Sequence, residues 1–384
     1  MMKQKTSKVI LIPASAYDDE EVYENLDWAC KALGGIEDIL KGCTGSSKIL
    51  LKPNLVRKAE VSRAVMTHPV VMGAIARILY EHHYENVSAG DSCGIGMAKK
   101  VMEGTGMIER LEKYGVKICD FDSGTRTDIG GTRAKYMVMC DQVLKADAVI
   151  NVCKMKTHAL ERITGAVKNI YGTVYGLHKA KGHTQFSDAH SFAGMLVDLN
   201  RFVGPKLHIM DGITAMEGNG PTSGDPVDMN LILVSKDPVA LDSVYCRLIG
   251  LDSALVPTNV AGQAAGLGVM ETSRIEVETP EGVISMEDAV RKYGKTDFNV
   301  DRKKHRDYAR WIKMLSIFKI FQKKPYIDTE KCIRCGICVE SCPVETKAIS
   351  FKNGRKHPPV YDYKKCISCF CCQEMCPHKA IRVK

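Results

Sequence analysis

The sequence predicts an α/β protein in which a large domain on a mostly parallel sheet precedes a small, cysteine-rich α+β domain. Three observations lead there. Short β-rich runs alternate with amphipathic stretches through residues 1–300. Half of the sixteen cysteines fall in two matching runs near the end. A chain of 384 residues also exceeds one ordinary core.

Taken in order, Lys8–Ile12 reads as a first strand rather than a signal peptide, because the chain turns acidic at once and shows no cleavage site. A helix is expected from near Asp18, with Glu21 in capping-box spacing. Lys48–Leu51 is a second strand. Thr67 reads as an N-cap, with Pro69 in the first turn of a helix to about Tyr84. Val87–Ala89 is a third strand, residues 97–114 a helix, and Val116–Cys119 extended. Ala148–Val152, Leu207–Met210 and Leu231–Ser235 have strand length and apolar character. Asp237 reads as a cap opening another helix.

The polar residues fall where these strands end. Lys52 and Asn54 follow the second strand, and Asp91 and Ser92 the third. Asn151, Lys154, Lys156, Thr157 and His158 follow the run from Ala148, and Asp211 follows the run from Leu207. In open parallel sheets ligands bind beyond the carboxyl ends of the strands. Four segments would thus converge on one edge, and their lysines suit an anionic carboxylate or phosphate. Lys168 and Asn169 add a further pair near a helix start. We take Lys52, Asn54, Lys156, Lys168 and Asn169 as candidate substrate-binding residues and His158, Asp91 and Asp211 as candidate catalytic residues. Singly, each has a plainer reading: a solvated lysine, a turn aspartate, a structural histidine. The loop Glu217–Pro221 can cover such a site.

Cys332, Cys335, Cys338 and Cys342 form C-x2-C-x2-C-x3-C before Pro343, and Cys366, Cys369, Cys372 and Cys376 repeat it before Pro377. This is the bacterial two-cluster ferredoxin run, in which the fourth cysteine serves the other cluster. One [4Fe–4S] cluster should take Cys332, Cys335, Cys338 and Cys376. The other should take Cys366, Cys369, Cys372 and Cys342. Zinc asks for paired ligands and not for this run. Cys371 lies out of register and reads as a bystander. Ile333, Ile337, Ile349, Ile367 and Ile381 can shield the clusters. Between the two domains, residues 301–325 read as a basic amphipathic helix, suited to docking on protein, with membrane-surface contact as the lesser reading.

The formal charge of +9 falls to about +5 once cluster thiolates and cores are counted, which is too modest to imply nucleic acid. There is no apolar run of transmembrane length. No Walker A, G-x-S-x-G or dinucleotide fingerprint occurs, and no flavin signature is evident. Many cysteines in a long chain without a signal point to a reducing cytoplasm.

The order KPNLV, THP, GDS, KTH, TGAVKNIYG, MDGI-AMEGNGP and DPVALD, with the paired cysteine tail, resembles an uncharacterised iron–sulfur-centre protein family of anaerobes. Its large domain is the domain of unknown function 362. The resemblance implies cluster binding and a redox role, and supplies no substrate. A looser likeness in layout to the N-terminal domain of nickel-dependent lactate racemases bears on fold alone.

Three functions fit these readings. In the first, the ferredoxin module takes electrons from a soluble partner protein and relays them to a small anionic metabolite at the sheet edge, making the chain an oxidoreductase. The second is a non-catalytic electron carrier or assembly partner of a larger redox complex. The third is a non-redox isomerase or transferase with structural or sensing clusters.

Overall fold

The structure is a computed structural model that describes residues 6–176, 178–304 and 323–384. Of the helix expected over residues 301–325, residues 305–322 lie outside the described residues; residues 301–304, 323 and 324 are not helical and Pro325 opens a strand.

The main sheet runs Gly282–Ile284, Ile275–Thr279, Ser7–Pro13, Asp225–Ser235, Leu207–Glu217, Ala148–His158, Ile49–Pro53, Val87–Ala89, Lys117–Ile118. The five strands from Leu207 to Lys117 are parallel. Asp225–Ser235 returns antiparallel between Leu207–Glu217 and Ser7–Pro13. Alternation along each strand feeds two cores, as a two-residue side-chain period requires. Ile10, Ile12, Ile49 and Leu51 pack with Val22, Leu26, Val71 and Ile75 of the helices Asp19–Ala32 and Pro69–Glu81. On the other face, Val9, Leu11, Leu231 and Leu233 meet Leu241, Val244 and Tyr245 of the helix Pro238–Leu248. Leu50 and Val149 meet Phe192 and Leu196 of the helix Ala189–Val203. Helices on both faces of a largely parallel sheet make this an α/β fold.

Several boundaries differ from expectation for local reasons. Asp18 does cap its helix, accepting from the N–H groups of Glu20 and Glu21. The cap before Pro69 is His68 rather than Thr67, and that helix ends at Glu81. The Thr67 hydroxyl instead donates to the Val152 carbonyl and accepts from Asn54 N–H, tying the end of Ile49–Pro53 to the middle of Ala148–His158. The single helix expected over 97–114 is two, Ala98–Met102 and Met107–Glu112, split where Gly104 and Gly106 turn left-handed. The strands expected to end at Val152 and Met210 run on to His158 and Glu217.

The small C-terminal unit pairs Pro325–Ile327 with Ile381–Val383, and Ile349–Ser350 with Val360–Tyr361. Each cysteine run opens a one-turn helix, Ile337–Glu340 or Cys371–Glu374, after a residue at positive φ, Gly336 or Phe370. Of the isoleucines expected as shields, Ile349 and Ile381 are buried, while Ile333 is 58% exposed. No helix among the described residues is long and apolar enough to cross a membrane.

Candidate functional site

The edge residues sort into closed pairs and open groups. Lys52 and Asp91, both buried, are 2.9 Å apart, and Asp91 also accepts the Leu55 N–H. Lys154 and Asp211 are 2.7 Å apart, with the Tyr17 hydroxyl bridging them and the His68 N–H donating to the same carboxylate. Buried charges survive in such places only when paired and hydrogen-bonded. These pairs explain why the strands outlast their apolar runs: Lys154 and Asp211 are cross-strand neighbours whose charges cancel.

Lys156 is different. Fully buried, it donates only to neutral oxygens, Asn54 Oδ1 and the Val65 carbonyl, each at 2.7 Å. Burial, reinforced by Lys168 and Lys154 nearby, holds its ammonium pKa far below the usual lysine value. From Asn54 an amide chain runs to Asn169 and on to Asn151, with 2.7 Å at each link. Asn54 and Asn169 are thus committed internally. The short helix Gly165–Asn169 that carries Lys168 and Asn169 is held by Asp242, which accepts from Ala166 and Val167 N–H. Gly165 is required there, since it sits at φ +52° and a Cβ would lie 2.3 Å from Asp242 Oδ1.

His158 closes the central strand. Its Nδ1 accepts from the Leu160 and Glu161 N–H groups, so Nε2 carries the proton in the neutral ring. Nε2 lies 2.7 Å from Oε1 of Glu374, although without the alignment of a hydrogen bond. Burial first, then Lys168, lowers the His158 pKa to about 4. Glu374 sits between Cys372 and Cys376, so this contact joins the sheet edge to the second cysteine run.

Sequence reasoning missed Glu161, His183 and Glu374. Glu161 is fully buried, neither carboxylate oxygen has a hydrogen-bond partner, and burial raises its pKa to about 8. The Nδ1 of His183 and the hydroxyl of Thr164 are also buried without partners. Such atoms are uncommon in native interiors and call for a ligand or ordered water. The ammonium of Lys168, half-buried, makes no hydrogen bond among the described residues, and its charge reaches His158, Glu161, His183 and Glu374. A cavity of about 450 Å³ opens beyond Val87–Ala89, lined by Asp91, Ser92, Phe121, Tyr175 and His178 among others.

The thiols meet the test of cluster chemistry. Cys332, Cys335, Cys338 and Cys376 line one narrow cavity with Ile327, Pro377 and Ala380. Burial raises the Cys338 pKa to about 12, and Cys376, Cys335 and Cys332 are the charged neighbours that add to it. Around Cys366 the corresponding neighbours are Cys369 and Cys342. The Ala348 N–H faces Cys342 Sγ at 3.4 Å and the Tyr361 hydroxyl Cys372 Sγ at 3.2 Å, contacts of the kind that tune cluster potentials. Cys371 is buried beside Cys369.

The two units are joined closely. Gln373 Nε2 lies within 3.0 Å of three oxygens, the Asn219 carbonyl, Asn219 Oδ1 and the Gly220 carbonyl. The Thr222 hydroxyl donates to the Glu374 carbonyl at 2.6 Å and the Asn219 amide to the Ile381 carbonyl at 2.9 Å. The loop after Glu217 therefore grips the cysteine-rich unit.

Comparison with known proteins gives two family matches: a domain of unknown function (DUF362) over residues 49–247, and a 4Fe-4S dicluster domain over residues 324–377. A thylakoid-associated protein of Synechocystis sp. is 34% identical over 260 residues, 67% of this chain and 79% of that relative. Among solved structures, the lactate racemase apoprotein of Thermoanaerobacterium thermosaccharolyticum is similar at a TM-score of 0.42 and 10% identity. That likeness covers 63% of this chain and 57%, just over half, of the racemase chain.

Proposed function

The chain belongs to the DUF362 family and is an iron–sulfur protein with a C-terminal 4Fe-4S dicluster domain, and from this premise we propose that it is an oxidoreductase delivering electrons to a small anionic substrate at the carboxyl edge of its sheet. Two [4Fe–4S] clusters, one on Cys332, Cys335, Cys338 and Cys376 and one on Cys366, Cys369, Cys372 and Cys342, would supply electrons one at a time. The observation that carries the reading is the 2.7 Å approach of His158 to Glu374. It brings the second cysteine loop against a buried polar cluster that has spare hydrogen-bonding capacity.

Within that cluster each residue has a distinct task. Lys168 is the open cation and would hold the substrate's carboxylate or phosphate. Lys156, whose charged form burial and the neighbouring Lys168 both disfavour, stands behind it. Glu161 keeps its proton at pH 7, because a carboxyl with a pKa of about 8 is mostly protonated there. It can therefore give a proton to a substrate that is gaining electrons. His158, neutral with Nδ1 engaged by backbone N–H groups and Nε2 facing Glu374, would link the cluster to the second cysteine run. Burial keeps bulk water from competing for these groups.

Lys52, Asp91 and Asp211 enter this reading as scaffold, because their charges are already matched. The test begins with anaerobically prepared protein reduced by dithionite. Small carboxylates and phosphates are added singly, and the return of the visible cluster absorbance is followed. The reading expects saturable reoxidation by one chemical class. It is overturned if no anionic metabolite reoxidises the protein faster than buffer does.

A further inference from the structure

The two cysteine runs differ in exposure. The second is turned inward: Phe370, Cys371 and Gln373 are buried, and Glu374 meets His158. The first is turned outward. Ile333, 58% exposed, stands at the lip of the cavity lined by Cys332, Cys335, Cys338 and Cys376. An exposed isoleucine over four ligand thiols marks a place where a second redox protein can approach a cluster closely.

Charge surrounds that lip. Arg334 lies beside Ile333 at the cavity mouth and is anchored by donating to the Lys356 carbonyl at 2.7 Å. The Arg355 guanidinium lies over Gly336, where a Cβ would be 2.9 Å from its Nη2, so a larger residue at 336 would push it off. Lys352 and Lys356 are exposed on the same segment. Among the described residues, no ion pair joins a carboxylate to Arg334, Lys352, Arg355 or Lys356. A basic, unneutralised collar around a small apolar tip is complementary to an acidic surface with a small apolar centre.

We propose that this collar is the docking surface for an acidic electron-transfer protein, which exchanges electrons through the cluster of the first cysteine run. The proposal rests on the relay reading above for its direction of traffic. One electron leaves the reduced carrier and enters the outer cluster; no bond forms or breaks and no proton is required. Charge steering would make the encounter fast at low ionic strength and slow in salt, since screening acts over about 8–10 Å at physiological salt.

The full chain with its clusters is titrated with a small acidic 2[4Fe–4S] ferredoxin, with basic cytochrome c and phosphatidylglycerol vesicles as comparisons. The expected result is ferredoxin binding that weakens steeply with salt and no binding of cytochrome c. Arg334→Glu with Lys356→Glu should weaken ferredoxin binding at least tenfold at low salt, while iron content and reduction by dithionite stay unchanged. Lys352→Glu with Lys356→Glu, which spares the Arg334 anchor, should act in the same direction. Arg291→Glu, on an exposed helix of the large domain, should change nothing. The proposal is overturned if the collar variants bind ferredoxin as the parent does, or if Arg291→Glu weakens it equally. It is also overturned if the collar binds vesicles and not ferredoxin. No substrate enters this measurement, so its outcome and that of the metabolite screen are independent.

Discussion

Glu374 of the second cysteine run reaches 2.7 Å from the imidazole Nε2 of His158, the last residue of the central strand. The two residues are 216 positions apart in sequence, yet the loop Asn219–Ser223 holds their segments together through hydrogen bonds to Gln373, Glu374 and Cys376. An iron–sulfur unit and a polar strand end thus share one buried boundary.

That boundary should loosen when Gln373 is changed. Its amide nitrogen faces three oxygens, and removing it leaves buried acceptors unpaired, at about 1–3 kcal/mol. Gln373→Ala should speed amide hydrogen exchange through residues 218–223 by tenfold or more. Iron content should stay unchanged. Exchange at parent rates would show that the loop is held by other contacts.

Glu161→Gln should stabilise the protein, and increasingly so at higher pH. The folded-state pKa, about 8, lies above the unfolded value near 4.3. Between those values the unfolded chain releases a proton that the folded chain keeps, so this residue's contribution falls as pH rises from about 4.3 to 8. Removing the titration should give a gain that is small at pH 5 and reaches a few kcal/mol by pH 8. Thermal midpoints of parent and variant across that range measure it; a gain independent of pH would contradict the assignment.

His208 works in the opposite direction. Buried, with Nδ1 3.0 Å from the Asn151 amide, its pKa is lowered to about 3. Its folded pKa lies below the unfolded value near 6.5, so unfolding takes up a proton between those limits and stability is lost as pH falls from about 6.5 towards 3. His208→Gln should flatten the acid limb of the stability profile relative to the parent. An unchanged slope between pH 6.5 and 4 would show that His208 does not titrate on unfolding.

The Lys52–Asp91 pair predicts that removing both charges costs less than removing one. Asp91→Asn leaves a buried ammonium without its carboxylate, at about 3–5 kcal/mol, while Lys52→Met together with Asp91→Leu should cost less than that single change. Denaturation midpoints of the parent and these two variants test this, and a double change that costs more than Asp91→Asn alone would argue against a tight pair.

Much of this organisation could be read from the chain, and the failures share a cause. The 4Fe-4S domain announces itself because its cysteine spacing is local. The carboxyl-edge location of Lys52, Asp91, Lys156 and His158 follows from where the apolar runs stop. The true strand ends do not, because Lys154 and Asp211 neutralise each other across strands, and hydropathy cannot register a charge cancelled by a partner 57 residues away. Thr67 looked like a cap because its side chain suits one; a tertiary bond to Val152 claimed it instead. Glu161 and Glu374 gave no signal because an acid's burial and missing partners are properties of packing. The nearest hint was the position of Glu161 just beyond the KTH segment.

The most direct measurement is the rate at which the reduced protein is reoxidised by the anionic acceptor identified in the metabolite screen, compared between the parent and Lys168→Gln in stopped flow. Ferricyanide, which can take electrons at the outer surface, is the reference oxidant. The prediction is at least a tenfold rise in the acceptor concentration needed for half-maximal rate, with the ferricyanide rate unchanged. Equal acceptor kinetics in the two proteins would contradict delivery of electrons to the carboxyl edge.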